Sequence, residues 1–298
     1  MGMRSTAVIE VTGLTMSYGP REVLRGVDFH VGRGEVVALL GPNGAGKSTT
    51  IEILEGFRAP SGGRVRVLGE DPLHADEDWR AGVGVVLQSW RDHGRWRVRE
   101  LLDLFARYYA PPRAPFDVDE LLARVGLTEQ ATSRIRTLSG GQRRRLDVAI
   151  GIVGRPQMLF LDEPTAGFDP IVRREFHELV HALTDLEGTS VLLTTHDLSE
   201  AERLADRILI LDEGTIVADG SPEELARRIA GTSEVRWVQD GTRHVHATPD
   251  ATAFVRELLA QSGDAVSEIE IARASLEDTY LAMVTKSEAA ASRQGALR

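Results

Sequence analysis

Along the first 220 residues, short runs of aliphatic and β-branched residues alternate with segments of helical periodicity. This alternation is typical of βαβ units, in which helices connect the strands of a sheet. It predicts an α/β domain. The predicted strands are Ala7–Val11, Val27–Val31, Val36–Leu40, Val65–Leu68, Val83–Leu87, Met158–Leu161, Val191–Thr194 and Ile208–Leu211.

A helical period dominates the middle of this region. The apolar residues between Val98 and Tyr109 fit one broad helix face, and a second helix is predicted at Val118–Val125. A helical subdomain is therefore expected over about residues 89–155, between two groups of strands.

The pattern changes again after Gly231, which follows a predicted helix start at Pro222. The order strand, strand, helix, strand, helix predicts a small second α/β domain over 226–285. The tail 286–298 is rich in Ala, Ser and Arg and is predicted to be disordered. The predicted elements of this domain are Glu234–Val238, His244–Ala247, Ala251–Gln261, Val266–Ile271 and Leu276–Val284.

Composition narrows the possible functions. The 298 residues carry a net charge of −10, which argues against a nucleic-acid partner because phosphate binding favours positive charge. The absence of cysteine excludes disulfides, thiol nucleophiles and thiolate metal sites. The longest apolar runs fall short of the roughly 20 residues that span a bilayer, and the first residues lack a signal-peptide core. A soluble cytosolic protein is expected, or one that is peripheral to a membrane through a partner.

The clearest motif is a phosphate-binding loop. Gly41–Ser48 matches G-x-x-x-x-G-K-[ST], follows a predicted strand and precedes a helical segment, which is the context that this motif requires. Backbone N–H groups would surround the phosphates, the lysine would reach the β- and γ-phosphates, and Ser48 would bind Mg²⁺. By itself the loop indicates binding of a nucleoside triphosphate, and the residues expected to hold it are Gly41, Pro42, Asn43, Gly44, Ala45, Gly46, Lys47, Ser48 and Thr49.

A second motif supplies carboxylates. Four apolar residues from Met158 lead into Asp162 and Glu163. Asp162, at the end of the predicted buried strand, is the expected Mg²⁺ partner, and Glu163 is the expected general base for the attacking water.

A third motif makes the interpretation specific. Leu138–Gln142 reads Leu-Ser-Gly-Gly-Gln at the start of a helix predicted at Arg143–Val153. Together with the two motifs above, it makes residues 5–225 resemble the ATP-binding subunit of ABC transporters. The resemblance implies a P-loop NTPase fold with a mixed sheet core, an antiparallel β subdomain and a helical subdomain.

The resemblance also implies roles for single residues. Tyr18 would stack on adenine, Gln88 would contact Mg²⁺ and the attacking water, and His196 would sense the γ-phosphate. Asp169 would cross the interface of a head-to-tail homodimer, although Gly167-Phe168 precedes it where the family commonly has Ala-Leu. The residues expected to contact the ATP held by the other subunit are Ser139, Gly140, Gly141 and Gln142.

The resemblance further implies a partner. In the family, the region after Gln88 faces a separate membrane-embedded permease, and Trp90 and Trp96 are candidates for this contact. Ser275–Leu281 is similar to the terminal helix of the drug-resistance and antibiotic-export branch. This similarity implies export of a hydrophobic or drug-like compound and a peripheral location on the inner face of the membrane. An importer ATPase, or a non-transport ABC-type ATPase acting on ribosomes or DNA, remains the alternative.

Two further patterns have simpler interpretations. His177–His181 reads H-E-x-x-H, the zinc metalloprotease pattern, but no third ligand follows. The apolar residues of this segment predict a helix whose histidines point to solvent. Arg143–Arg145 is interpreted as a charged helix face rather than a nucleic-acid patch.

Overall fold

The structure is a computed structural model that describes residues 7–86, 93–109, 114–165, 168, 170–229, 233–239, 242–248, 250–273 and 280. The chain divides into two compact units, residues 1–217 and 218–298. The domain boundaries 5–225, 226–285 and 286–298 remain predictions.

The strands overlap the predicted hydrophobic runs. In chain order they are β1 (Ala7–Tyr18), β2 (Arg21–Gly32), β3 (Val36–Leu40), β4 (Gly62–Val67), β5 (Val83–Val86), β6 (Met158–Asp162), β7 (Ser190–Thr195), β8 (Arg207–Asp212), β9 (Thr215–Gly220), β10 (Ser233–Gln239), β11 (Thr242–Thr248) and β12 (Val266–Arg273). Strands β1 and β2 are longer than predicted, because their pairing continues through segments of alternating burial, and β9 was not predicted.

The helices are α1 (Lys47–Leu54), α2 (Glu77–Ala81), α3 (Val98–Tyr109), α4 (Val118–Arg124), α5 (Gly140–Ile152), α6 (Pro170–Glu187), α7 (Leu198–Leu204), α8 (Pro222–Ile229) and α9 (Ala251–Ser262). The predicted helix at Leu276–Val284 lies outside the described residues, apart from Tyr280.

A six-stranded sheet with the order β5-β6-β7-β3-β8-β9 forms the centre of the fold. The neighbouring strands β5-β6, β6-β7, β7-β3 and β3-β8 are parallel, so the carboxyl ends of these five strands meet at one edge of the sheet. All five residues of β3 are buried, as expected for a parallel strand covered on both faces. The fold class predicted from the sequence is confirmed.

A second sheet, β2-β1-β4, is antiparallel. Its buried residues, such as Ile9, Leu14 and Leu24, join one hydrophobic core with residues of β3 and α1. This shared core fixes the end of β1, where Tyr18 lies, relative to the helix that follows the phosphate loop.

The second unit contains a three-stranded antiparallel sheet, β11-β10-β12. Trp237 on β10 stacks on His244, and His246 stacks on Phe254 of α9, with ring centroids 5.3 Å and 4.2 Å apart. These contacts hold α9 against one face of the sheet. Within the described ranges, no helix combines the length and apolar character needed to cross a bilayer.

Candidate active site

The phosphate loop connects β3 to α1 and needs glycine at two positions. A side chain on Gly41 would lie 2.3 Å from the carbonyl oxygen of Leu211. Gly46 has φ of 112°, and a side chain there would meet Leu24 at 2.6 Å. Glycine tolerates both the crowding and the positive φ, so the loop can curl tightly into the first turn of α1.

Lys47 begins α1 and is buried, with only 6% of its surface exposed. Its ammonium donates to the carbonyl oxygens of Gly41 and Pro42 at 2.7 and 3.2 Å. Burial lowers the pKa of Lys47, whereas the nearby carboxylates of Glu163 and Asp162 raise it. The ammonium is thus held inside the loop, within the electrostatic reach of both acids.

Asp162 ends β6, Glu163 follows it directly, and the two residues share a partner on β7. The Thr194 hydroxyl donates to Asp162 Oδ1 at 2.6 Å and accepts a hydrogen bond from the Glu163 N–H at 3.0 Å. Thr194 lies opposite Asp162 in the parallel register. One buried hydroxyl therefore orients both acids.

Glu163 also contacts the predicted histidine. His196 Nδ1 lies 3.2 Å from Glu163 Oε1. The carboxylate is mostly shielded, with 17% of its side chain exposed, whereas His196 is 56% exposed. The adjacency of β6 and β7 brings together two residues that are 33 positions apart in sequence.

Ser139 caps α5 in a capping box. Its hydroxyl accepts from the Gln142 N–H at 3.2 Å, and its own N–H donates to Gln142 Oε1 at 3.0 Å. The space beside Gly140 is open, whereas Gly141 faces Val172 on α6. Such reciprocal capping fixes the first turn of the helix.

Comparison with known proteins decides the family. A sequence profile described as ABC transporter matches residues 24–166. The chain is 40% identical to Nod factor export ATP-binding protein I of Ralstonia nicotianae, over 80% of this chain and 75% of that protein. It is 36% identical to a daunorubicin resistance ATP-binding protein of Streptomyces coeruleorubidus, over 92% of this chain and 94% of that protein. The chain belongs to the ABC transporter ATP-binding family.

Structural similarity agrees with this assignment. The dimeric structure of a bacterial ABC transporter cassette matches with a TM-score of 0.63 and 25% identity, over 72% of this chain and 98% of the cassette. The protein is therefore an ATPase subunit with the cassette fold, as the three sequence motifs indicated.

Tyr18 ends β1 in this ABC ATPase and remains 42% exposed. The Arg58 guanidinium lies 5.1 Å from the centre of the Tyr18 ring, and Arg58 also pairs with Glu52 at 2.6 Å. An aromatic ring with an accessible surface is suited to stacking on a base. Gln88, Trp90, Gly167 and Asp169 lie outside the described residues.

The sequence-based interpretation missed the residues that surround the Asp162–Pro164 turn of this ABC ATPase. Arg144 is 7% exposed and donates to the backbone carbonyls of Asp162 and Pro164, so it does not belong to a charged surface face. Glu200 of α7 is also buried and accepts from the Thr165 hydroxyl at 2.5 Å. A run of three arginines gave no signal that distinguished the buried one.

Only one of the two histidines of the H-E-x-x-H pattern points to solvent, whereas both were predicted to do so. His177 is buried rather than exposed to solvent, because α6 packs this side against α7, and burial lowers the pKa of His177. His181 is exposed, and its Nε2 lies 3.3 Å from the Arg203 carbonyl oxygen. No group of three metal-binding side chains occurs in the described part of the chain.

Proposed function

We propose that this ATPase powers an exporter by closing as a head-to-tail homodimer around two ATP–Mg²⁺. The observation that carries the proposal is the convergence of Lys47, Asp162, Glu163 and His196 at the carboxyl ends of neighbouring parallel strands. Ligands of open α/β sheets bind at this edge.

Within this proposal, the residues from Gly41 to Thr49 surround the phosphates, and the buried ammonium of Lys47 pairs with the β- and γ-phosphates. Because the ammonium already binds only neutral carbonyls, it can exchange these partners for phosphate oxygens. Tyr18 would stack on adenine. Its exposed ring supports this role.

The metal would be held by Ser48, Asp162 and Gln88. A hydroxyl, a carboxylate and an amide fit Mg²⁺, which prefers oxygen ligands and completes its shell with water and substrate phosphates. When bound, Mg²⁺ would neutralise charge that develops on the phosphates. Thr194 would fix Asp162, since its hydroxyl is bonded to one carboxylate oxygen.

Glu163 would take a proton from the attacking water at its carboxylate. His196, 3.2 Å from that carboxylate, would orient it and contact the γ-phosphate. A positioned base is worth about 10²–10⁴-fold in rate. We infer that Gln88 assists in positioning the water, as the family resemblance implies.

The second half of each site would come from the partner subunit. The open space at Gly140 and the fixed first turn of α5 suit a helix N-terminus that receives an anion. In this arrangement Ser139, Gly140, Gly141 and Gln142 contact the ATP of the other subunit, and Asp169 crosses the interface. The dimeric cassette structure supports the proposed homodimer.

The helical subdomain would contact a separate permease at the inner face of the membrane. Leu104 and Tyr108 lie four residues apart on α3 and are 45% and 82% exposed, and Trp96 is 38% exposed. Exposed apolar side chains on one helix face are typical of an interaction surface. Export of a hydrophobic or drug-like compound is favoured because the relatives are named for Nod factor export and daunorubicin resistance.

The first test uses Glu163→Gln in the full chain. We expect ATP binding and ATP-dependent dimerisation by size-exclusion chromatography, with turnover reduced at least about 100-fold. Lys47→Ala is the matched control, because it should lose the ATP-dependent dimer as well. Wild-type turnover in Glu163→Gln would refute the assignment of the base.

The second test identifies the partner. Tagged Glu163→Gln, supplied with ATP, is used to capture proteins from gently solubilised native membranes. A polytopic membrane protein that is lost with Trp96→Ala and Tyr108→Ala would support the transporter assignment. Capture of ribosomal or DNA-associated proteins without a membrane protein would instead favour the non-transport alternative.

A further inference from the structure

The peptide backbone at Glu163 has an unusual conformation. Its φ is 43°, in the left-handed region that non-glycine residues rarely adopt. Such a conformation is strained and persists only where surrounding contacts fix it. The contacts that fix Glu163 therefore determine where its carboxylate lies.

Hydrogen bonds between the backbone and the side chains of Thr194 and Arg144 hold this turn. The Glu163 N–H donates to Thr194 Oγ1 at 3.0 Å. The carbonyls on either side of Glu163 both accept from one guanidinium: Arg144 Nη2 lies 3.2 Å from the Asp162 oxygen and Nε lies 2.9 Å from the Pro164 oxygen. Arg144 thus bridges the turn that carries Glu163.

Arg144 is suited to this bridge by its shape. The guanidinium is planar and presents several N–H groups in fixed directions, whereas a lysine ammonium is a single compact donor centre. Arg144 is buried, and the carboxylates of Asp147, Asp162 and Glu200 lie near enough to offset part of the cost of burying its charge. If Arg144 served only to balance the charge of the neighbouring carboxylates, it would not need to donate to both backbone carbonyls.

We propose that Arg144 is a positioning residue that holds the Asp162–Pro164 turn, and with it the Glu163 carboxylate, in the geometry needed for hydrolysis. The inference rests on the proposed role of Glu163 as the base. Arg144 lies on α5, whose first turn contains Gly140 and is capped by Ser139. The same helix would therefore contact the partner's nucleotide at one end and orient the subunit's own base one turn later.

The test compares Arg144→Lys with the control Arg145→Lys in the full-length protein. Arg145 is the next residue on α5, but its partners are Glu175 and the Gly126 carbonyl, outside the catalytic turn. For Arg144→Lys we expect kcat to fall about 10- to 100-fold, with KM for ATP and the affinity for ADP within about twofold of wild type. Arg145→Lys should retain wild-type kcat.

The lysine variant separates positioning from charge balance. If Arg144 only balanced the buried carboxylates, Arg144→Lys would keep its charge and its kcat, and this result would overturn the proposal. A second variant, Arg144→Ala, should regain kcat with added guanidinium but not with methylammonium. Equal rescue by both cations, or failure of both variants to fold, would also overturn the proposal, since Arg144 would then act through charge or through the fold.

The result is distinguishable from failure of the proposed function. If Glu163→Gln retains wild-type turnover, the assignment of the base is wrong whatever Arg144 does. If Glu163→Gln loses turnover while Arg144→Lys does not, only the inference about Arg144 is wrong. If both lose turnover, adding Arg144→Lys to Glu163→Gln should cause little further loss, because the two residues act through one carboxylate.

Discussion

Replacing Thr194 with valine removes one hydroxyl while preserving the shape of a fully buried side chain. That hydroxyl is bonded to both Asp162 and the Glu163 N–H, at 2.6 and 3.0 Å. A buried polar group that loses its partner costs about 1–3 kcal/mol. Both bonds are partly buried, so water can replace part of each, and we estimate a total loss of about 2 kcal/mol in the free energy of unfolding.

This loss should lower the melting temperature by about 4–8 °C for a unit of this size. The effect on catalysis should be larger, because both acids lose the group that orients them. We expect kcat to fall about 100-fold in a steady-state ATPase assay, a loss typical of a misplacement of about 1 Å. ADP affinity, measured by calorimetry, should change little.

Thr194→Ser is the control, since it keeps the hydroxyl and removes one methyl group. It should lose about 1 kcal/mol of stability and retain kcat within about threefold. If the serine variant were as inactive as the valine variant, the methyl group rather than the hydroxyl would be responsible. Wild-type kcat in Thr194→Val would refute the idea that this hydroxyl orients the two acids.

Two further predictions concern stability. Burial, reinforced by the carboxylates of Asp162 and Glu52, raises the pKa of Glu55 to about 8. The folded state therefore holds this proton more tightly than the unfolded chain, so the stabilisation is present at about pH 4 and is lost as the pH rises toward 8. In urea unfolding, the advantage of Glu55→Gln over wild type should grow by up to about 1.4 kcal/mol per pH unit across this range; a constant difference would contradict the shift. Gly84→Ala should be strongly destabilised, by about 2–4 kcal/mol, because a side chain there would lie 2.2 Å from the Gly151 carbonyl oxygen. An unchanged melting temperature would show that β5 and α5 can separate without cost.

The local motifs were predictable because their chemistry depends on adjacent residues. The phosphate loop, the capping box at Ser139 and the carboxylates after β6 each lie within a few consecutive positions. The continuous apolar run and the helical period likewise predicted β3 and α3 with the bounds that the structure has.

Contacts between distant segments were not predictable in the same way. Arg144 follows Arg143 in sequence, yet it is the one that reaches the turn after β6, a placement set by the packing of α5. The same applies to His177, which an apolar-face argument placed in solvent. The prediction that Arg144 and His177 are exposed was wrong because a polar residue outside the apolar stripe of a helix is still buried where another element packs on that side.

The strand order also sets a length. In the sheet order β6-β7-β3, strand β7, which has Thr194 near its end, lies between the phosphate loop after β3 and the acidic turn after β6. Neighbouring strands lie about 4.8 Å apart, so β3 and β6 are about 10 Å apart across the sheet. The sheet thus acts as a spacer of fixed width between the phosphate loop and the acidic turn. Changes of side chain can alter the chemistry at either end of this span, but only a change in strand order could alter the span itself.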